Sequence, residues 1–422
     1  MTGTAKSGRP ATVPINEKLI LAILAAVQFT HILDFMIMMP LGSHLMRVFA
    51  IGPEAFSRLV ASYGIAAAVG GLIAAFVIDR LDRRRALLTL YAGFTVATLA
   101  CALAPNYAWL LAARIAAGAF GGVASSLIIA MIGDVIPPAR RGRGMATVMT
   151  AFPLASVLGV PGGLLLVNTF NWHAPFFLIA GLGVVVLGLA WRWLPAIHLV
   201  RSRAHPLRQM ADIVAHRVHL RGFLLTALLV FGGGLMIPFM APTMVANAGI
   251  PENLIWLIYL FGGAATFFTT PLFGHLADRH DKARVIASVS GCTILTTLVI
   301  SRLGPAPLAL SLVVTTLFFV TMSGRFGPAM AMVSNAVEAR YRGGYMSLNS
   351  TVQQASSAAA NLVAGLLVTQ GAHGRLVGYD RVGLLAALAF VLTVAAAFWL
   401  RAAAPHAASN RHAPPLPTEV GA

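Results

Sequence analysis

The sequence predicts an all-α integral membrane protein with twelve transmembrane helices in two parallel six-helix pseudo-repeats. Three observations carry that expectation. Of 422 residues, 58% are hydrophobic and only 10% charged, and the mean hydropathy is +0.81. A soluble chain of this size needs far more polar surface. Apolar runs of about 20 residues, the length that crosses a hydrocarbon core as a helix, recur along the whole chain. Finally, a charged loop motif of the first half returns in the second.

The runs lie at 19–40, 57–78, 86–104, 107–132, 144–168 and 174–195, then at 222–245, 253–274, 285–303, 306–329, 344–369 and 381–400. They are long and continuous, without the short alternating segments of a membrane barrel, so helices are predicted. An even number of spans puts both termini on one side. Lys and Arg choose that side: Lys6, Arg9, Lys18, Arg80, Arg83, Arg84, Arg85, Arg140, Arg141 and Arg143 fall there, as do Arg192 to Arg221, Arg279, Lys282, Arg284, Arg340, Arg342, Arg401 and Arg411. Arg47, Arg58, Arg302, Arg375 and Arg381 fall opposite. Cytoplasmic termini in an inner membrane follow. The same asymmetry accounts for a net charge of +17, which therefore does not signal nucleic acid.

The first run is too long for the apolar region of a signal peptide and contains Asp34, so it is expected to stay as a span. Cys101 and Cys292 lie in spans of opposite halves, which excludes a disulfide framework or a metal spacing. Residues 1–16 and 403–422 are rich in Pro, Ala, Ser, Thr and His without apolar periodicity and are expected to be disordered tails. They bracket a first half at 17–195, a basic cytoplasmic linker at 196–221 holding His198, His205, His216 and His219, and a second half at 222–402.

Asp34 is the only carboxylate deep in an apolar run, and a charge at that depth marks a candidate functional site. Arg114 in the fourth span and Arg325 in the tenth are the buried cations that need a partner, a cavity or backbone carbonyls. For Arg325 the choices are Asp34 across the molecule, carbonyls freed near Pro328, or a bound anion. His31 lies three residues before Asp34 on nearly the same helical face; it is read either as a proton relay or as a histidine without a titrating role. Asn349, Gln353, Gln354 and Asn361 in the eleventh span either orient a substrate or tie helices together.

The repeat is visible in two places. Asp79-Arg80-Leu81-Asp82-Arg83-Arg84-Arg85 after the second span answers Gly274 to Arg284 after the eighth, and Met36 to Pro40 answers Leu235 to Pro238. These motifs resemble the major facilitator superfamily over essentially all twelve spans. Its signature in the loop after the second helix is matched by Asp79, Arg80, Arg83, Arg84 and Arg85 and echoed by Gly274, Asp278, Arg279 and Lys282, with Ala75 and Asp82 standing where the family has Gly. Arg114 to Gly122, with Gly118, resembles the motif of the fourth helix. Ala155 to Gly163, with Gly159, Pro161, Gly162 and Gly163, resembles a variant of the antiporter motif. Asn171 to Phe177 resembles the start of the sixth helix in drug and sugar efflux permeases.

The resemblance implies two halves around a central cavity lined by the first and fourth helices, with alternating access. It makes Asp34 the natural partner of Arg114, either as a proton-coupling pair or as a purely structural one. Asp79, Arg80, Arg84, Gly274, Asp278, Arg279 and Lys282 become a latch between halves, against the alternative that these basic residues merely anchor the inner face. The expected activity is proton-coupled efflux of a drug, sugar or metabolite by a monomer, driven by the proton gradient without a cofactor. The rival is an uptake symporter or facilitator of a sugar or organic anion. Phe35, with Phe29, Phe231, Phe239, Trp256 and Phe326, suits an amphipathic substrate, whereas two buried Arg against one Asp favour an anionic or zwitterionic one. Paired acids, metal-ligand spacings and phosphate-binding loops are missing from the sequence, so no enzyme is predicted.

Overall fold

A computed structural model describes residues 17–77, 82–137, 140–195, 206–338 and 340–408. The first half comprises α1 (Glu17–Ile37), the short α2 (Gly42–Val48), α3 (Pro53–Val77), α4 (Arg83–Ala102), α5 (Tyr107–Val135), a broken fifth span and α9 (Ala174–Trp193). The broken span runs through α6 (Arg141–Met149), α7 (Ala151–Leu154), a π-helical turn at Ala155–Gly159 and α8 (Val160–Thr169). After α10 (Pro206–Ala215), the second half follows as α11 (Arg217–Ala246), α12 (Ile255–Arg279), α13 (Lys282–Ser301), α14 (Leu308–Asn335), α15 (Arg342–Leu367), α16 (Tyr379–Ala403) and α17 (Pro405–Ala408). A two-stranded hairpin, β1 (Thr369–Gln370) with β2 (Leu376–Val377), separates α15 from α16.

Among the described residues, eleven helical segments are long and apolar enough to cross a membrane. The twelfth, α15, carries Asn349, Gln353, Gln354 and Asn361 and falls short on composition. Its main neighbours are α3 and α11, and that packing withdraws much of its surface from lipid. Two boundaries move: α11 begins at Arg217, inside the stretch expected as linker, and Pro405–Ala408 is helical rather than disordered, with Ala407 and Ala408 buried. Residues 1–16, 196–205 and 409–422 lie outside the described residues.

The internal repeat is written into the helix starts. Asp82 caps α4 by accepting from the Arg85 N–H at 2.8 Å, and Asp281 caps α13 by accepting from the Arg284 N–H at 3.1 Å. Each cap satisfies a donor that a helix start leaves open. The residue after each cap, Arg83 or Lys282, is buried. At the ends of the last spans, Arg84 of α4 donates to the Trp191 carbonyl of α9 and Arg221 of α11 to the Trp399 carbonyl of α16, so the acceptors correspond while the donating helices do not.

The halves meet mainly where α3 lies on α15 and where the fifth span lies on α12. Glycine permits this closeness: a Cβ on Gly64 would sit 3.1 Å from the Ala358 Cβ, and one on Gly263 would sit 2.9 Å from the Ser156 carbonyl oxygen. At the end bearing Arg47 and Glu252, the one the charge pattern leads us to expect outside, the halves are bonded. Glu252 accepts from Ser43 Oγ at 3.0 Å and pairs with Arg47, while Asn168 Nδ2 donates to the Asn253 carbonyl at 3.0 Å. Phe56 meets Phe239 edge-on at 5.9 Å beneath them. His44 stands 3.8 Å from Glu252, and burial, outweighing the pull of Glu252, holds its imidazole below the ordinary value. At the opposite end Arg83 pairs with Asp134 at 3.0 Å and Arg401 with Asp281 at 3.0 Å, each within its own half.

Candidate functional site

The centre of the first half holds a desolvated ion pair. Arg114 Nη1 donates to Asp34 Oδ2 at 2.7 Å and to the Asp34 backbone carbonyl at 3.2 Å, and Thr98 Oγ1 donates to Asp34 Oδ1 at 3.4 Å. Both charged residues are 0% exposed. Three helices therefore build the pair, α1 with the acid, α5 with the base and α4 with the hydroxyl. Removing one partner from such a buried pair typically costs about 3–5 kcal/mol, because the other charge is left uncompensated.

Tyr63 of α3 closes the site from the fourth side. Its ring lies under the guanidinium, 4.4 Å from Arg114 Cζ, and its hydroxyl is 2.7 Å from His31 Nε2. No hydrogen bond described joins His31 to Asp34; its other nitrogen is 3.3 Å from Ser125 Oγ, which in turn donates to Gln28 Oε1 at 3.4 Å. The glycines of α5 make room for this. A Cβ on Gly118 would collide with the Tyr63 backbone, one on Gly122 with the Ala67 backbone, and one on Gly121 with the His31 ring. Small residues thus let α5 and α3 approach as membrane helices do.

Phe35 is half-buried and stacks obliquely on Tyr63 at 5.4 Å. In the antiporter-type segment, Gly159 sits against Leu33 and Gly163 against Ile37, so both admit α1; Gly162 has open space where a Cβ would go. Pro161 is buried at the start of α8, directly after the π-helical turn. Such turns and prolines loosen a helix's hydrogen-bond ladder.

Arg325 is the second buried cation of the apolar runs. It is fully buried, yet its Nε and Nη1 have no hydrogen-bond partner, and its guanidinium lies 4.1 Å from the Phe390 ring centroid. Asp34 is engaged by Arg114 and is not its partner. Asn349 is buried with Nδ2 3.7 Å from the Met330 sulfur and Oδ1 unsatisfied, while the Gln353 amide is 3.9 Å from the same sulfur. Gln354 is half-buried, with its carbonyl at the α3 interface beside Gly64. Of the residues expected to form a latch, Asp79 and Arg80 lie outside the described residues. Arg84 bonds the Trp191 carbonyl of its own half, Gly274 has no close neighbour, Asp278 and Arg279 are exposed at the end of α12, and Lys282 is buried. The hydrogen bonds described across the halves, at Ser43, Arg47 and Asn168, are at the opposite end from these residues.

Sequence reading missed Tyr63, Thr98 and Ser125. A lone tyrosine in an apolar span is a usable signal, since a buried hydroxyl needs a partner; nothing in the sequence says which one.

The family model described as Major Facilitator Superfamily matches residues 24–360 and, in a second alignment, 223–421. Among curated relatives, the MFS-type transporter YceJ of Bacillus subtilis is 24% identical over 379 residues, covering 87% of this chain and 94% of its own. A chloramphenicol efflux pump of Mycobacterium tuberculosis is 26% identical over 302 residues, covering 70% and 72%. Among solved structures, a bacterial homologue of the human lysosomal transporter Spinster, inward-facing and occupied, superposes with a TM-score of 0.75 at 15% identity, covering 94% of this chain and 99% of its own. A D-xylose–proton symporter gives a TM-score of 0.73 at 17% identity, covering 91% and 96%.

Proposed function

The chain belongs to the Major Facilitator Superfamily, and on that premise we propose that it is a proton-coupled exporter of a small amphipathic molecule, with Asp34 as the proton carrier. The observation that carries this reading is the Asp34–Arg114 pair, 2.7 Å apart and excluded from solvent. The energy of such a pair depends steeply on hydration and distance. Rocking of the halves changes both, so protonation of Asp34 and conformation become linked. The protein then acts as a monomer in the inner membrane with both termini cytoplasmic, uses the proton gradient and needs no cofactor. Asn349, Gln353, Gln354 and Phe35 serve the substrate. The bonds of Glu252 to Ser43 and Arg47 and of Asn168 to Asn253 are consistent with closure at the outer face, and Asp79, Arg80, Arg84, Gly274, Asp278, Arg279 and Lys282 with a latch that forms when the inner face closes.

Export is favoured over uptake by the efflux names among its relatives and by the antiporter-like segment. The test uses inverted vesicles with a pH-gradient dye and a panel of chloramphenicol, other drugs, sugars and organic anions. Substrate-dependent dissipation of the gradient that disappears in Asp34→Asn supports the proposal. Substrate movement without a proton signal, or an Asp34→Asn protein that behaves as wild type, transfers the assignment to a facilitator.

A further inference from the structure

The hydroxyl protons around His31 can be assigned by counting donors. Ser125 has one hydroxyl proton, and with Gln28 Oε1 as its acceptor at 3.4 Å the Ser125 oxygen is left to accept from His31 Nδ1 at 3.3 Å. Nδ1 then carries the ring proton of the neutral imidazole, Nε2 is an acceptor, and the Tyr63 hydroxyl donates to it at 2.7 Å. Every donor in the row Tyr63, His31, Ser125 points the same way. The row ends at Gln28, six residues before Asp34 on α1, which at 1.5 Å per residue is about 9 Å nearer the inner end of that helix.

Tyr63 is the one residue common to this row and to the ion pair, since its ring is stacked under Arg114 while its hydroxyl bonds His31. When Asp34 is ionised, the guanidinium on the Tyr63 face is neutralised. When Asp34 is protonated, the full charge of Arg114 falls on that ring and on the hydroxyl dipole beyond it. In a low dielectric such sites titrate as a set rather than singly.

We propose that Tyr63 is a positioning residue that couples the Asp34–Arg114 pair to His31, holding the imidazole in the Nδ1–H form and passing the charge state of the pair to a polar row directed toward the inner face. This rests on the proposed proton-carrier role of Asp34 and adds to it a second group and a route. The titratable and charged groups around His31 are Asp34 on its own helix, Tyr63 from α3, Arg114 from α5, and from α4 both Tyr91, bonded to Thr30 at 2.8 Å, and Cys101 beside Arg114. Tyr91 and Cys101 form no described hydrogen bond to the row, and Arg114 also acts on His31 through space, so Tyr63 is the bonded link.

The test is nitrogen NMR of the full-length protein, labelled at histidine, in lipid nanodiscs, with the His31 signals identified by their loss in His31→Gln. Wild type is expected to show the Nδ1–H tautomer near neutral pH. Tyr63→Phe keeps the ring under Arg114 and removes only the hydroxyl; it is expected to mix the tautomers. Asp34→Asn is expected to change the proton affinity of His31 by about tenfold, the scale of interacting sites, and that change is expected to shrink in the Asp34→Asn, Tyr63→Phe double variant. If His31 stays neutral throughout, the tautomer ratio remains the readout. A wild-type Nε2–H tautomer, or a ratio and a response to Asp34→Asn that are the same with Phe at 63, overturns the proposal. Ser125→Ala cuts the other end of the row and is expected to mix the tautomers too, which keeps the idea testable if Tyr63→Phe does not fold. Intact proton-coupled transport in Asp34→Asn overturns the carrier role, whereas loss of coupling there with an unchanged His31 overturns only the role of Tyr63.

Discussion

The two halves repeat each other's helix caps, but they treat a buried arginine differently. In the first half Arg114 is bonded to a carboxylate and a carbonyl and stacked on Tyr63. In the second half Arg325 has only the face of Phe390, with two N–H groups unsatisfied. The depths differ as well, since Arg114 is eighth in α5 and Arg325 eighteenth in α14. Duplication therefore preserved the scaffold and not the chemistry. Under the proposed function the first half is the one expected to exchange a proton, because there a carboxylate stands beside the buried arginine.

The comparison is broken most severely by Arg114→Met, which leaves Asp34 alone in the interior; a loss of about 3–5 kcal/mol is expected, read as a large drop in the unfolding temperature in detergent. Equal stability in the variant would mean that the pair is not desolvated. Next is Gly118→Ala, which places a methyl against the Tyr63 backbone and is expected to cost about 1–3 kcal/mol as overpacking. The same thermal measurement checks it, with Gly274→Ala, where space is open, as the near-neutral control. Arg325→Met is expected to change stability by no more than about 2 kcal/mol, the strength of a desolvated cation–π contact, since relief of an unpaired charge works against the loss. A fall as deep as that of Arg114→Met would show that Arg325 has a strong partner and that the halves are alike. The smallest effect belongs to Glu252→Gln at the join between the halves. An exposed pair of this kind contributes about 0–1 kcal/mol, so the unfolding temperature should hardly move. Spin labels on α2 and on the start of α12 should nevertheless report an added population at longer distance.

Much of the fold was legible because the bilayer imposes it. Composition, run length and the placement of Lys and Arg predict the spans, and the one span that hydropathy undervalues, α15, was still found from its length. Asp34 and Arg114 were legible because a charge in an apolar run is conspicuous whatever surrounds it. Their neighbours were not. Tyr63, Thr98 and Ser125 are ordinary residues in spans buried on several sides, where polarity has no periodicity and so does not say which residue faces which. Phe390 as the neighbour of Arg325 was hidden for the same reason. The bonds between the halves at Glu252 are not legible because Arg47 reads only as one of the sparse charges of its side, while short α2, which aims it at Glu252, has no signature of its own.

The polarity of α15 has a consequence for how the protein is made. Insertion into a bilayer is decided segment by segment according to hydropathy, and α15 alone, with its Asn, Gln and Ser side chains, is the span least suited to lipid. Its natural companion is α3, which is threaded early and belongs to the other half. The eleventh span is thus expected to wait at the insertion machinery until the first half offers it a surface, so that assembly of the two halves is part of membrane entry rather than a step after it.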